Sequence, residues 1–214
     1  MFYFRGCMLN QIKRKQLLFL LSLTIVMVME NPIAQEKTDR LASAKIIKEN
    51  NYPNVVQVGN TTLKLLGVGL REKWFLDIYT MGAYSESGAC DVRILTSSDE
   101  IKYIRIDTLR DVSAGKMVKS LGKAFDKNMP ADVSGELKSQ INIFLGYFKQ
   151  DLAEQESIEL IYVPGLGTTL KTNGKQQGLI TPGKAFSDVL WGVYFSSRTC
   201  CRSLRDQILS DCSK

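Results

Sequence analysis

The chain has 214 residues, with 28 Lys+Arg against 22 Asp+Glu, five cysteines and no histidine. The missing imidazole excludes a Ser-His-Asp or Cys-His nucleophile pair, an H-E-x-x-H zinc site and a histidine proton shuttle. Apolar and charged contents of 44% and 23% are those of an ordinary globular protein.

Residues 1–34 read as a secretory signal peptide. Lys13, Arg14 and Lys15 form a basic start, and Leu17 to Met29 follow as an apolar run interrupted only by Ser22 and Thr24. Glu30-Asn31-Pro32 ends the run, and Ile33-Ala34 lead into polar sequence. The run falls short of the roughly 20 apolar residues a membrane helix needs, so no stable span is expected after its removal; Pro32 sits where a cleavage site wants a small residue, and an uncleaved anchor is the alternative. The mature protein is expected to be exported, either periplasmic or secreted. Losing the segment takes four basic residues and one acid, which leaves a net charge of +3. Cys7 leaves with it, and Cys90, Cys200, Cys201 and Cys212 remain. Outside the cytosol these suit one or two disulfides, with three full connectivities open. Adjacent cysteines rarely bond to each other, so one of Cys200 and Cys201 is expected to join Cys212 across a short C-terminal helix; four free thiols are the alternative. No His and no C-x-x-C spacing means no metal site is expected.

Residues 35–52 are a polar lead-in, and 53–214 form the domain. Val55–Val58 and Thr61–Leu66 flank Gly59-Asn60 as a hairpin. Gly67-Val68-Gly69-Leu70-Arg71 then reads as a turn entering an apolar strand over Trp74–Tyr84, buried on both faces. Lys102–Thr108 alternates as a half-solvated strand, Ile104 and Ile106 inward and Tyr103, Arg105 and Asp107 outward. Ser113–Asp126 switches to helical period, with Lys116, Lys119 and Lys123 on the wet face. Those lysines lack aromatic interleaving, so a solvated face is expected and no nucleic-acid partner. Val133–Leu152 reads as a longer helix. Ser157–Val163 and Thr168–Thr172 form a hairpin about Pro164-Gly165-Leu166-Gly167, Asn173-Gly174 marks another turn, and Leu179-Ile180 suits a short strand. Thr181 and Pro182 then suit the cap and first position of a helix, and a last helix spans Ser203–Leu209. This order is not a βαβ alternation. The class is α+β with a mainly antiparallel sheet.

One constellation carries chemistry. Arg71 can grip a planar anion with two parallel hydrogen bonds, and Tyr79 offers an apolar ring with a donor hydroxyl. If the strand returns past Arg71, both groups point into one cavity. The same spacing also suits an arginine paired with Asp77 or Glu72 and a tyrosine half-buried in the core.

The run Gly67-Val68-Gly69-Leu70-Arg71-Glu72-Lys73-Trp74-Phe75-Leu76-Asp77-Ile78-Tyr79-Thr80-Met81-Gly82-Ala83-Tyr84 resembles a signature of chalcone isomerase-like proteins. Thr108–Ser113, Phe125–Asn128, Tyr162–Thr168 and Gly183–Trp191 resemble further family segments in the same order, over roughly residues 53–210. The resemblance implies an open-faced β-sandwich, a large antiparallel sheet covered on one side by helices, with a ligand cleft between them. It points to the exported bacterial branch, related to plant chalcone isomerases and to fatty-acid-binding proteins. Arg71 matches the isomerases' arginine. Tyr79 stands where they carry a threonine, as in the fatty-acid binders, and Val112–Leu121 lacks the expected Tyr and Asn. The resemblance therefore implies binding of a fatty acid or similar apolar carboxylate by Arg71 and Tyr79, with no cofactor. The alternatives are an isomerase, or intramolecular lyase, acting on a chalcone-like or other enone with Arg71 and Tyr79 as its catalytic pair, and a non-catalytic envelope interaction protein.

Overall fold

A computed structural model describes residues 52–212; the signal-peptide and most of the lead-in expectations lie outside them. Seven strands run in sequence order through one antiparallel sheet. They are β1 (Val55–Val58), β2 (Thr61–Lys73), β3 (Leu76–Ser85), β4 (Lys102–Thr108), β5 (Ser157–Val163), β6 (Gly167–Thr172) and β7 (Lys175–Ile180). Among the described residues, five helices pack on the curled sheet: α1 (Val92–Ser97), α2 (Ala114–Asn128), α3 (Gly135–Leu145), α4 (Lys184–Phe195) and α5 (Arg202–Asp211). The architecture is the α+β, open-faced sandwich the sequence implied.

The main core lies between sheet and helices. Met81, Ile104, Leu160 and Leu170 from the sheet meet Phe125, Phe144 and Phe186 from α2, α3 and α4. These three rings stack with centroids 5.1–5.9 Å apart, within the range of favourable aromatic pairs. The sheet's other face has a cluster of its own, built on Leu63, Tyr84 and Tyr103. Lys102 is fully buried. Its ammonium donates to the Leu95 and Ser98 carbonyls at 3.2 Å each and sits 5.4 and 5.3 Å from the Tyr162 and Trp191 rings. That cage satisfies the charge and fastens the C-terminal end of α1 to the sheet.

Packing and turn chemistry overrule the sequence reading in several places. Gly67 and Gly69 are not a turn but lie inside β2, because α5 presses directly on them. A Cβ at Gly67 would stand 2.1 Å from the Ile208 carbonyl oxygen, and one at Gly69 2.7 Å from Leu204. Trp74 and Phe75 are not in a buried strand. Lys73 pairs with Leu76, so the two aromatics form the hairpin turn, with φ of 53° and 63°. They are 81% and 102% exposed. The outward face of β4 is not half-solvated, since Tyr103 and Asp107 are buried and Tyr52 lies over Arg105. The second long helix stops at Leu145, seven residues short of Leu152, because Gly146 and Tyr147 turn the chain and Leu152 bridges Val112 instead. The following helix starts at Lys184 with Gly183 as its cap, two residues beyond the Thr181-Pro182 start. Helix α1 had no clear signal in the sequence.

The cysteine pairing also differs. Cys212 bonds Cys90, in the segment between β3 and α1, rather than Cys200 or Cys201. Helix α5 separates Cys201 from Cys212 by 11 residues, about 16 Å at 1.5 Å per residue, far beyond disulfide reach. The observed bridge instead pins the far end of α5 onto the domain.

Candidate functional site

The hairpin of β2 and β3 places the two sequence-selected side chains. Arg71 and Tyr79 are direct cross-strand partners, so both project from the same face of the sheet. This is the face that Gly67 and Gly69 present to α5, two and one strand periods earlier. Where the glycines end, the sheet is no longer covered by α5, and Arg71 emerges beside that helix's N-terminal Cys201.

Arg71 and Tyr79 line one cavity of about 690 Å³, within the usual range for ligand pockets. Its inner wall is apolar: Ile106, Ile158 and Leu160 from the sheet, Leu121 from α2, Phe144 from α3 and Val193 from α4. The rim is basic. Arg71, Lys73, Arg110, Lys116, Lys123 and Lys127 line the cavity against a single acid, Asp111. Among the described residues none of these six makes an ion pair. Arg71 is therefore not tied to Asp77 or Glu72, and its guanidinium fork is open to a ligand.

Tyr79 is partly buried, with its hydroxyl 3.9 Å from the Cys201 sulfur. Burial first, then the neighbouring Cys201, Tyr194 and Cys200 groups, hold its phenol well above the ordinary value, and Arg71 pulls weakly the other way. Tyr79 thus stays protonated and acts as a donor. Cys200 and Cys201 sit beside it with their sulfurs 2.7 Å apart. The hydrogen bond between them lowers the Cys200 thiol, helped by Arg71 and opposed by burial. The same bond raises Cys201.

The spacing of Arg71 and Tyr79 was readable in the sequence, whereas Cys200, Cys201 and Tyr194 were not connected to it. Lys116 and Lys123 were read as a wet helix face. They are that, but α2 also turns them, with Lys127, toward the cavity rim. Among the described residues there is no group of three or more metal-ligating side chains and no helix long and apolar enough to cross a membrane.

The family model described as chalcone isomerase-like matches residues 44–210. A comparison with curated proteins finds no match. Among solved structures, the crystal structure of an Arabidopsis thaliana fatty-acid binding protein superposes with a TM-score of 0.59 at 19% identity, covering 76% of this chain and 92% of that one. At that identity the likeness speaks for the fold. The family match spans most of the sequence, and with the sheet, helices and cleft described above it leads to one conclusion: the chain belongs to the chalcone isomerase-like family.

Proposed function

We propose that the protein is an exported binder of a fatty acid or similar apolar carboxylate, which it holds in the cavity between sheet and helices. The observation that carries this reading is the unpaired Arg71 guanidinium, directly across from Tyr79, on the basic rim of a cavity whose inner wall is apolar. The acyl chain would lie along Ile106, Leu160 and Val193, and Arg71 and Tyr79 would hold the carboxylate. Each buried methylene contributes about 0.8 kcal/mol, or about 10 kcal/mol gross for a dodecyl-length tail, before the cost of association. The tail supplies most of the affinity. The polar pair fixes orientation and keeps the carboxylate ionised by charge and hydrogen bonding.

A fatty-acid binding protein among the structural neighbours supports this reading, as does the family. A phenol held protonated favours it over ring closure of an enone, because Tyr79 is a poor proton acceptor. Lipid extraction and native mass spectrometry of the purified protein test the proposal. A fatty acid should co-purify or bind when added, and Arg71→Ala should lose it. No bound acid in the native protein, or equal loading of Arg71→Ala, would remove the proposal.

A further inference from the structure

The turn joining β2 to β3 is built against local preference. A two-residue turn with both φ positive normally takes Asn-Gly or Gly-Gly, yet this one carries Trp74 and Phe75 at φ 53° and 63°. Both rings stand in solvent, and Leu76 beside them is also exposed. Neither ring lines the cavity, and neither belongs to either hydrophobic cluster. Turn geometry and core packing therefore give no reason for aromatics here.

Position gives one. The turn's flanking residues, Lys73 and Leu76, both line the cavity mouth. Around that mouth six basic side chains face one acid, and none of the six is neutralised by an ion pair among the described residues. Exposed Trp and Phe at a loop tip, joined through Lys73 to a cavity mouth lined by unpaired Lys and Arg, match the two halves of an anionic membrane surface. The aromatics suit the interface between headgroups and acyl chains, and the cations suit the lipid phosphates.

We infer that the Trp74-Phe75 tip docks the protein onto an anionic phospholipid bilayer with the cavity mouth facing the lipid. Docking stands on the tip and the rim alone. Its use, passing an acyl chain between bilayer and cavity without exposing it to water, rests on the fatty-acid reading above.

The two tryptophans make a specific test possible, because Trp191 is buried in the core and only Trp74 is accessible. The purified exported form, without residues 1–34, is mixed with vesicles of phosphatidylcholine containing 30% brominated phosphatidylglycerol. Trp74 emission should shift to the blue and be quenched, and the effect should weaken at least tenfold in 0.5 M salt or in phosphatidylcholine vesicles brominated to the same extent. The Trp74→Ser, Phe75→Ser double variant, read by vesicle co-sedimentation beside the native protein because it lacks the reporting tryptophan, should lose at least tenfold in affinity for the anionic vesicles while still binding soluble fatty acid in native mass spectrometry. Absent quenching overturns the inference, as does quenching that ignores lipid charge. Self-association abolished by the double variant, with no vesicle effect, overturns it in favour of a second copy of the chain as the occupant. Docking without fatty-acid binding sinks only the functional reading, and fatty-acid binding without docking sinks only the docking.

Discussion

Gly67→Ala probes the contact that shapes the site. The new Cβ would sit 2.1 Å from the Ile208 carbonyl oxygen, about 1.3 Å short of ordinary contact at 3.4 Å. The obstacle is helix backbone, so it cannot be relieved by a rotamer change. Either β2 or α5 must move by about 1 Å, and Leu204 and Ile208, both fully buried, lose packing. Overpacking of this kind costs about 1–3 kcal/mol. Complete exposure of the two side chains would cost about 3–6 kcal/mol and sets the ceiling. We expect a loss of about 3 kcal/mol, or about 6–12 °C in Tm for a domain of this size. Gly122→Ala is the matched control. It lies inside α2 with the nearest atom, Leu145 Cδ1, at 3.8 Å, so better helix propensity should stabilise by about 0.5–1 kcal/mol. Urea unfolding of both variants reads the contrast. If Gly67→Ala is as stable as the parent, α5 does not rest on β2 and the wall beside Arg71 is wrongly placed.

Burial lowers Lys102 to about 8 from 10.5, and in the unfolded chain it keeps its proton to the higher value. The unfolded state therefore binds more protons above pH 8, so stability should rise by on the order of 1 kcal/mol between pH 7 and 9, before the buried tyrosines begin to titrate. Lys102→Met should rise less steeply in urea midpoints, keeping only the part owed to the lowered Cys200 thiol, and an unchanged slope would contradict the buried cage. Cys90→Ser opens a bridge between residues 122 apart in sequence, for which loop entropy allows at most about 5 kcal/mol. Hydrogen exchange in that variant should speed up first in α5, and uniform acceleration would argue against a local clamp. The lowered Cys200 thiol should be alkylated by iodoacetamide faster at pH 7 than a free cysteine, and Cys201→Ala should slow it by removing the hydrogen-bond donor. An equal rate in the two proteins would refute that coupling.

Much of the sheet was legible because its strands alternate and its turns use ordinary residues. Ser157–Val163 and Thr168–Thr172 flank Pro164-Gly165-Leu166-Gly167 and Asn173-Gly174 marks the next turn, so β5 and β6 followed from local rules, and β7 only in its last two residues, Leu179 and Ile180. The β2–β3 hairpin did not, because its turn is Trp74-Phe75 rather than a turn-forming pair, and aromatic residues there read as strand. Gly67 and Gly69 looked like a loop because the reason for them, a helix 140 residues later in the chain, is tertiary. The Cys90–Cys212 bridge was hidden for the same reason. Arg71 and Tyr79 stood out by residue type and by family resemblance, yet their direct pairing depends on the register of that unread hairpin. The basic rim was visible only as scattered lysines, because helical spacing shows which side of α2 they share but not what that side borders.

The central claim is that Arg71 selects a carboxylate at the end of an apolar cavity. Calorimetric titration with dodecanoate and with dodecanol, on the native protein and on Arg71→Ala, tests it as a double-mutant cycle. Charge-assisted hydrogen bonds contribute about 1.5–3 kcal/mol, or about 10- to 150-fold in affinity. The native protein should prefer the acid by that factor, and Arg71→Ala should lose most of that preference, keeping only what the other rim cations give. Equal binding of the two ligands by the native protein, or a preference that survives Arg71→Ala undiminished, would contradict the account.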